Sequence, residues 1–259
     1  MVDLKTISSF YPANLQGFPR FILREYLQHK ILEAIYQSEH ARKFAFIGGT
    51  CLRIVHGNSR FSEDIDFDNL HGGPEDWSAL SEIIVRHLRL NGYEVEMRVM
   101  QKNAWHCYIR FPEVLFREGL SGYPEEKILI QVDAEAQGYD FEPESWLMNK
   151  FDVFSEILCA PLPLLMAHKC YAILNRKRNK GRDFFDLIYL MTRSIQPDWA
   201  YLSLKLEMDN KETLKAALLG HCSRISMDEM ADDVAPFLFN PADRQKIILF
   251  PALVKQYWQ

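Results

Sequence analysis

The stretch that decides the fold is FIGGTCLRIVHGNSRFSEDIDFD, residues 46–68. A short apolar run ends at Gly48-Gly49, and carboxylates later alternate with apolar residues over 64–68. Alternate residues of a β-strand point to opposite faces, so these aspartates are predicted to share one face. Because burying unpaired carboxylates is costly, that face requires a metal ion, a cationic side chain or bulk water.

The spacing of Asp64 and Asp66 favours the metal ion. Their Cα atoms would be about 6.6 Å apart on a strand. Mg²⁺ takes oxygen ligands, and a pair of such ions stabilises the attacking and leaving oxygens of a phosphoryl displacement. A lone D-x-D motif is more often a capped turn on a solvated edge, but here the apolar Ile65 and Phe67 indicate a strand against a core.

The two glycines supply the other half of the pattern. Gly48 and Gly49 lead into a short helix predicted from Thr50 to His56. Exposed N–H groups and the helix dipole favour an anion at a helix start, and glycine lets the backbone approach a phosphate closely. Thr50 adds a hydroxyl. The glycine turn and the acidic strand therefore predict a site that holds a triphosphate and metal.

A third acidic candidate is Asp133, in the strand-like segment KILIQVDAEA. A strand beside the one that carries Asp64 could bring Asp133 to the same ions. Asp133 could also act as general base toward an attacking hydroxyl. A partly exposed strand carboxylate is the alternative interpretation, and the local sequence does not separate the two.

The chain divides into two halves by its periodicity. Residues 1–140 combine helical patterns over 17–40 and 77–90 with alternating segments at 93–100, 105–111 and 127–136. Residues 141–259 are predicted to be a helical domain, with breaks near Gly181 and Gln196-Pro197. The predicted fold class is therefore α+β, an N-terminal mixed sheet flanked by helices followed by a helical domain.

The segment HKCYAILNRKRNKGRD, residues 168–183, carries a basic cluster. Lys169 and Arg176 are seven residues apart and share a helix face. Lys169 stands among apolar residues, so it requires a partner, and a lysine can act as a point charge on a phosphate. The later cations could follow an RNA backbone, or they could be a solvated helix end. Asp183 and Asp186 could bind metal or pair with Arg176 and Arg182.

Composition excludes several classes of protein. The chain has 259 residues, 48% of them hydrophobic, and a net charge of -5, so the whole molecule does not carry the basic charge typical of nucleic-acid-binding proteins. Five scattered cysteines without a C-x-x-C argue against disulfides and a zinc cage and favour a reducing compartment. No apolar segment is long enough for a membrane span or a signal peptide. A cytoplasmic protein without membrane contact is predicted.

Three blocks of sequence resemble a known family. Gly49-Thr50, the spaced Asp64-Ile65-Asp66 and a later strand aspartate resemble the polymerase-β-type nucleotidyltransferase superfamily. More narrowly, residues 46–68 resemble the AbiEii toxin family, whose members carry G-G-T-x-L-R…R-F-S-x-D-x-D-F. The segments REYLQHKILEAIYQSEHARKFAF and LLMAHKCYAILNRKRNKGRDFFDLIYL resemble the same family, so the likeness extends over roughly residues 20 to 190.

The resemblance implies a fold, ligands and partners. It implies a nucleotidyltransferase domain over residues 1–140 and a helical domain over 141–259 that contributes basic residues to the cleft. It implies NTP as substrate, Mg²⁺ or Mn²⁺ as cofactor, and a cognate antitoxin. Some members of the family transfer nucleotides to the 3′ end of tRNA, and others are described as GTP-binding.

The resemblance also implies roles for particular residues. Asp64 and Asp66 would hold metal, Gly49 and Thr50 would contact phosphate, Lys169 would contact the triphosphate, and an acidic residue at Asp183 would take part in catalysis. The predicted catalytic set is Asp64, Asp66, Asp133, Lys169 and Asp183, with Asp64, Asp66 and Asp133 as metal ligands. The predicted nucleotide-binding set is Gly48, Gly49, Thr50, Arg60, Ser62, Lys169 and Arg176.

One departure from the family pattern concerns the phosphate site. Phe46-Ile47 precedes the glycines, where many relatives are expected to have a lysine. More of the positive charge then falls to Lys169 and the arginines. The sequence predicts transfer of NMP from NTP to an RNA 3′ hydroxyl, with tRNA as the expected acceptor. A small-molecule or protein hydroxyl as acceptor, and a non-catalytic NTP-binding protein, are the alternatives.

Overall fold

The computed structural model describes residues 2–101 and 104–258. The chain divides into two compact units. The first contains the residues up to Cys51 together with Phe61–Cys159, and the second contains Leu52–Arg60 and the residues from Ala160 onward.

The first unit contains a sheet and its flanking helices. Its elements are α1 (Leu4–Ser8), α2 (Pro19–Tyr36), β1 (Phe44–Ile47), the first residues of α3 (Gly48–Ile54), β2 (Ile65–Asn69), α4 (Pro74–Leu90), β3 (Glu96–Gln101), β4 (Trp105–Phe111), α5 (Val114–Arg117), β5 (Ile128–Glu135), β6 (Glu144–Lys150) and β7 (Val153–Cys159). The strands form one seven-stranded sheet in the order β3-β4-β5-β2-β1-β7-β6. The pairs β2–β5 and β1–β7 are parallel and the other pairs are antiparallel, so the sheet is mixed.

Side-chain alternation places the core on one face of this sheet. In β5, Ile128, Ile130, Val132 and Ala134 are buried, whereas the residues between them are half-buried or exposed. In β2, Ile65 and Phe67 are buried. The ring of Trp77 in α4 lies 5.6 Å from that of Trp105 in β4, so α4 covers the same apolar face. On the opposite face, β2 and β5 carry Asp66, Gln131 and Asp133.

Two strands lie where the sequence predicts the start of the helical half. The β6–β7 hairpin belongs to the sheet, so the first unit extends to Cys159, beyond the predicted boundary at residue 140. β6 is an edge strand that is exposed along most of its length, and it therefore lacks a clear apolar alternation. Its turn places Phe151 at φ 58° instead of using the Asn-Gly or Asp-Gly that announces a hairpin.

The rest of the second unit is helical. Its helices are α6 (Leu162–Asn175), α7 (Gly181–Thr192), α8 (Trp199–Leu206), α9 (Lys211–Cys222), α10 (Met227–Val234), α11 (Arg244–Ile248) and α12 (Phe250–Tyr257). Several begin with a side-chain cap, such as Asp198 accepting from the N–H of Tyr201 and Asn210 from that of Thr213. Within this unit, α6 packs against α7, α8 and α9. The predicted α+β fold class is confirmed.

Candidate active site

The acidic residues of β2 and β5 come together in the first unit. β5 runs parallel to β2, and Asp133 lies directly opposite Asp66. Paired residues on adjacent strands point to the same face, and the strands themselves are about 4.8 Å apart. Asp64 immediately precedes β2, two residues before Asp66, and all three aspartates are half-buried. Asp66 and Asp133 thus lie side by side on the polar face of the sheet, with Asp64 in the segment that leads into β2.

Two neighbouring side chains donate to Asp133. Nδ1 of His106 is 2.8 Å from Oδ1, and Nε2 of Gln131 is 3.0 Å from Oδ1 and 2.8 Å from Oδ2. His106 lies opposite Asp133 on β4, and Gln131 is two residues earlier on β5. Neither residue could be assigned to the site from the sequence, because the sequence does not show which residues of β4 and β5 lie opposite one another.

The next aspartate of β2 has a structural role. Asp68 is 3% exposed, and its Oδ1 accepts a hydrogen bond of 3.0 Å from the backbone N–H of Gln137. It therefore fixes the chain as it leaves β5.

Gly48 is required by the position of Asp66. Gly48 has φ 78°, in the left-handed region, and it directly follows Ile47, the residue of β1 opposite Asp66. A Cβ at Gly48 would lie 3.1 Å from Cγ of Asp66 and well inside contact distance of its Oδ2. The turn therefore leaves space for the Asp66 carboxylate that no other residue type would leave.

The substitution Gly48→Ala tests this fit. We expect it to displace the Asp66 carboxylate and to lower the rate of the reaction at the acidic site at least about tenfold, in addition to a left-handed strain of about 1–2 kcal/mol. Gly57→Ala is the matched control, because Gly57 has φ 77° but nothing within 4 Å of the added Cβ. Initial rates and urea denaturation of both variants separate the two effects. Equal loss of activity in both would contradict the proposed contact with Asp66.

The hydroxyl of Thr50 is used inside the protein. Thr50 is fully buried, and its Oγ1 is hydrogen-bonded to Oγ of Ser62 at 2.7 Å and to the backbone carbonyl of Asp64. These bonds connect α3 to the segment that enters β2. Thr50 and Ser62, both predicted to bind nucleotide, are therefore hydrogen-bonded to each other, and Thr50 also binds the backbone of Asp64. These bonds position the start of the acidic strand.

In the second unit, Asp186 lies at the centre of a buried ion cluster (Arg60, Lys169, Asp183 and Asp186). Its side chain is fully buried. Arg60 donates from Nε and Nη2 to the two Asp186 oxygens, at 2.7 Å each, and Asn58 donates to Oδ1 at 2.7 Å. Burial tends to raise the pKa of Asp186, but Arg60 and Lys169 outweigh it and the pKa lies below its ordinary value.

Lys169 bridges the two aspartates of the ion cluster. Its Nζ is 3.0 Å from Oδ1 of Asp183 and 2.8 Å from Oδ2 of Asp186. Burial tends to lower the pKa of Lys169, but the two carboxylates more than offset this and raise it. The lysine therefore stays charged in its buried position. Asp183 and Asp186 are the partners that its apolar surroundings led us to expect.

The ion cluster reaches the surface through Arg176. Nη1 of Arg176 is 2.9 Å from Oδ2 of Asp183, an ion pair without hydrogen-bond geometry, and the Arg176 side chain is 47% exposed. Arg60, Lys169 and Arg176 are then in contact with the carboxylates of Asp183 and Asp186. Arg60, which belongs to the predicted nucleotide-binding set, is 2% exposed and bound to Asp186.

His168, beside Lys169 on α6, packs its ring 4.8 Å from that of Tyr201, and its Nε2 is enclosed without a hydrogen bond among the described residues. Burial, and then the charge of Lys169, lower the pKa of His168 to about 4. Because the unfolded chain takes up the proton first, the wild-type protein should lose stability as pH falls from about 6.5 to 4.

The substitution His168→Phe keeps the ring and removes the titration. Relative to this variant, we expect the wild-type free energy of unfolding to fall by about 2 kcal/mol over that range, after allowance for partial exposure. Urea denaturation at several pH values measures the difference. Parallel pH profiles for the two proteins would contradict the assignment.

A family model covers most of this chain. The model described as nucleotidyl transferase AbiEii toxin, type IV toxin–antitoxin system, matches residues 30–256. The chain belongs to the AbiEii family. The resemblance inferred from the glycine turn and the acidic strand is therefore confirmed.

Two solved structures share the fold of this AbiEii protein. JHP933 from Helicobacter pylori matches with a TM-score of 0.58 at 14% identity, over 92% of each chain. A candidate nucleotidyltransferase from H. pylori matches with a TM-score of 0.57 at 15% identity, over 92% of this chain and 95% of the other. At such identities the likeness concerns the fold. No curated protein matches the sequence.

Two further predictions for this AbiEii protein concern membrane-spanning helices and the basic residues that follow α6. Among the described helices, none combines the length and apolarity that crossing a membrane requires. Lys177, Arg178 and Lys180 lie between α6 and α7, and they form no ion pair with a described residue. The structure thus brings Asp66 and Asp133 together in one unit, and Lys169, Asp183, Arg60 and Arg176 together in the other.

Proposed function

We propose that this AbiEii protein transfers NMP from NTP to the 3′ hydroxyl of an RNA, with tRNA as the expected acceptor. The observation that carries the proposal is the direct pairing of Asp66 with Asp133 on parallel strands, with Asp64 two residues away. Carboxylates on adjacent strands repel one another unless a cation or hydrogen-bond donors lie between them. Metal ions bound between these carboxylates could contact the phosphates of an NTP, as nucleotidyl transfer requires.

Asp64, Asp66 and Asp133 are the residues that would hold Mg²⁺ or Mn²⁺. Their oxygen donors fit a hard cation, and the carboxylate of Asp66 lies against the open Cα of Gly48. When bound, the metal supplies stabilisation for negative charge on the phosphate oxygens. The donors to Asp133, His106 and Gln131, hold its carboxylate in place.

The transfer itself forms one bond and breaks another. The oxygen of the acceptor hydroxyl attacks the α-phosphorus, the bond between the α-phosphorus and the bridging oxygen breaks, and pyrophosphate leaves. We assign Asp133 rather than Asp183 to the proton of the attacking hydroxyl, since Asp133 is paired with Asp66. Asp183 instead positions Lys169, which it contacts at 3.0 Å.

The backbone of the Gly48-Gly49-Thr50 turn is proposed to bind the phosphates, since the Thr50 hydroxyl is used internally. Lys169 and Arg176 are proposed to neutralise the leaving pyrophosphate. The positive charge that Lys169 keeps in its buried position, and the exposure of Arg176, support this role. The type IV toxin–antitoxin family implies an antitoxin encoded with the protein. Because both proposed substrates, RNA and NTP, are present in the cytoplasm, we propose that the reaction takes place there.

The test is incubation of the purified protein with each α-labelled NTP, Mg²⁺ and total cellular RNA, resolved on a denaturing gel. Label on an RNA band with one nucleotide supports the proposal and identifies base and acceptor together. Pyrophosphate release without labelled RNA would move the acceptor to a small molecule or a protein hydroxyl. NTP binding without pyrophosphate release with any acceptor would leave a nucleotide-binding protein.

A further inference from the structure

The polar face of the sheet continues away from the acidic residues across β3, β4 and β5. Register places Arg98, Tyr108 and Gln131 side by side on the three strands, one row from His106 and Asp133. Arg110 and Leu129 form the next row on the same face. Rows on a strand are about 6.8 Å apart, so this surface begins next to the candidate metal site.

This surface is open, unlike the other face of the same strands. Leu129 is 39% exposed although β5 is an inner strand of the sheet. Arg98 is exposed, and Tyr108 and Arg110 are half-buried. On the opposite face Cys107 and Ile109 are buried beneath the helices. Leu129 therefore adds apolar area beside the Tyr108 ring on a face that the helices leave uncovered.

The charges on this surface are unbalanced. Glu96, in the row of Arg110, is paired with Lys127 at 2.6 Å, and Asp133 accepts from His106. Arg98 and Arg110 form no ion pair with any residue in 2–101 or 104–258. Two arginines without acidic partners, beside an accessible tyrosine ring, match a ligand with phosphates and flat bases.

We propose that this sheet platform, formed by Arg98, Tyr108, Arg110 and Leu129, binds the single-stranded 3′ end of the RNA acceptor. A base stacks on Tyr108 with Leu129 beside it, and the arginines contact the flanking phosphates. The platform then leads the terminal hydroxyl toward Asp66 and Asp133. The inference rests on the proposed function, because it names the surface that presents the acceptor to that site.

Fluorescence anisotropy with a 5′-labelled, unstructured RNA of about 12 nucleotides tests the platform without catalysis, in EDTA and without NTP. We expect Tyr108→Ala to weaken binding about tenfold and Tyr108→Phe to keep most of the affinity, because the ring stacks. The double variant Arg98→Ala/Arg110→Ala should reduce the slope of log K against log salt by about 1.4. Arg86→Ala on α4 is the matched control, an exposed arginine on the helix side of the sheet, and should bind as wild type.

The outcomes separate this inference from the proposed function. Wild-type affinity in both the Tyr108→Ala and the double arginine variant would overturn the platform, and a protein partner would then be the better occupant. Equal loss in Arg86→Ala would also overturn it, since the effect would be one of overall charge. If the protein transfers nucleotides but the platform variants bind RNA as wild type does, the platform is overturned and the proposed transfer reaction stands. RNA binding here without pyrophosphate release from any NTP supports the platform and overturns the transfer reaction.

Discussion

The substitution Asp66→Asn is expected to lower nucleotidyl transfer at least about a thousandfold, roughly 4 kcal/mol in the activation barrier, while leaving the fold intact. Asparagine has nearly the shape of aspartate, so the space beside Gly48 stays filled. It lacks the negative charge with which a carboxylate attracts a divalent cation. Pyrophosphate release at saturating NTP measures the rate, and circular dichroism checks the fold.

The matched control is Glu135→Gln. Glu135 is an exposed carboxylate on β5, two residues beyond Asp133 on the same face, so the two variants lose the same charge. It is expected to keep at least about half of the wild-type rate, since most exposed substitutions have small effects. A folded Asp66→Asn protein with near-wild-type transfer would refute the assignment of the acidic residues.

The substitution Asp186→Asn is expected to lower the free energy of unfolding by about 3–5 kcal/mol and the Tm by about 10 °C. It removes the carboxylate that receives Arg60, Asn58 and Lys169, and it leaves two buried cations without their main partner. Thermal and urea denaturation measure the change. Asp232→Asn is the control, because its ion pair with Arg244 is largely exposed, and it should cost less than about 1 kcal/mol.

The pH dependence of this effect has a defined direction. Since the pKa of Asp186 is lowered in the folded protein, its stabilising contribution is complete above the ordinary value of about 4 and is lost as pH falls below it. Wild type and Asp186→Asn should therefore differ most above about pH 5 and converge in more acidic solution. A difference no larger than that of Asp232→Asn at neutral pH would show that the ion cluster contributes little to stability.

The parts of the fold that depend on local sequence could be predicted. The alternation of β2, β4 and β5 follows from one apolar and one polar face, which the sequence displays directly. The glycine turn before α3 was also visible, although the helix begins at Gly48 rather than at the predicted Thr50. The glycine turn and the acidic segment, together with two further blocks of sequence, were enough to identify the family.

The parts that depend on strand register and on packing could not be predicted. His106 reaches Asp133 only because β4 pairs with β5 in one register, and shifting that register by one residue would turn His106 toward the core. The use of Thr50 as an internal hydrogen-bonding group, rather than as a phosphate ligand, depends on where Ser62 and Asp64 return. The ion pairs of Lys169 with Asp183 and Asp186 likewise depend on how α6 packs against α7, which the sequence does not show.

The parallel pairing of β2 and β5 also determines when the proposed metal site can form during synthesis. Asp66 and Asp133 are 67 positions apart in the chain, and the sheet is completed only when β7 pairs with β1, since Phe46 lies opposite Cys159. Contacts between residues so distant in sequence form slowly, because a long loop must close first. During synthesis the two aspartates cannot meet until β5 has left the ribosome. A nascent or truncated chain that ends before β5 is therefore without the paired carboxylates, and the proposed metal site can form only after β5 has paired with β2.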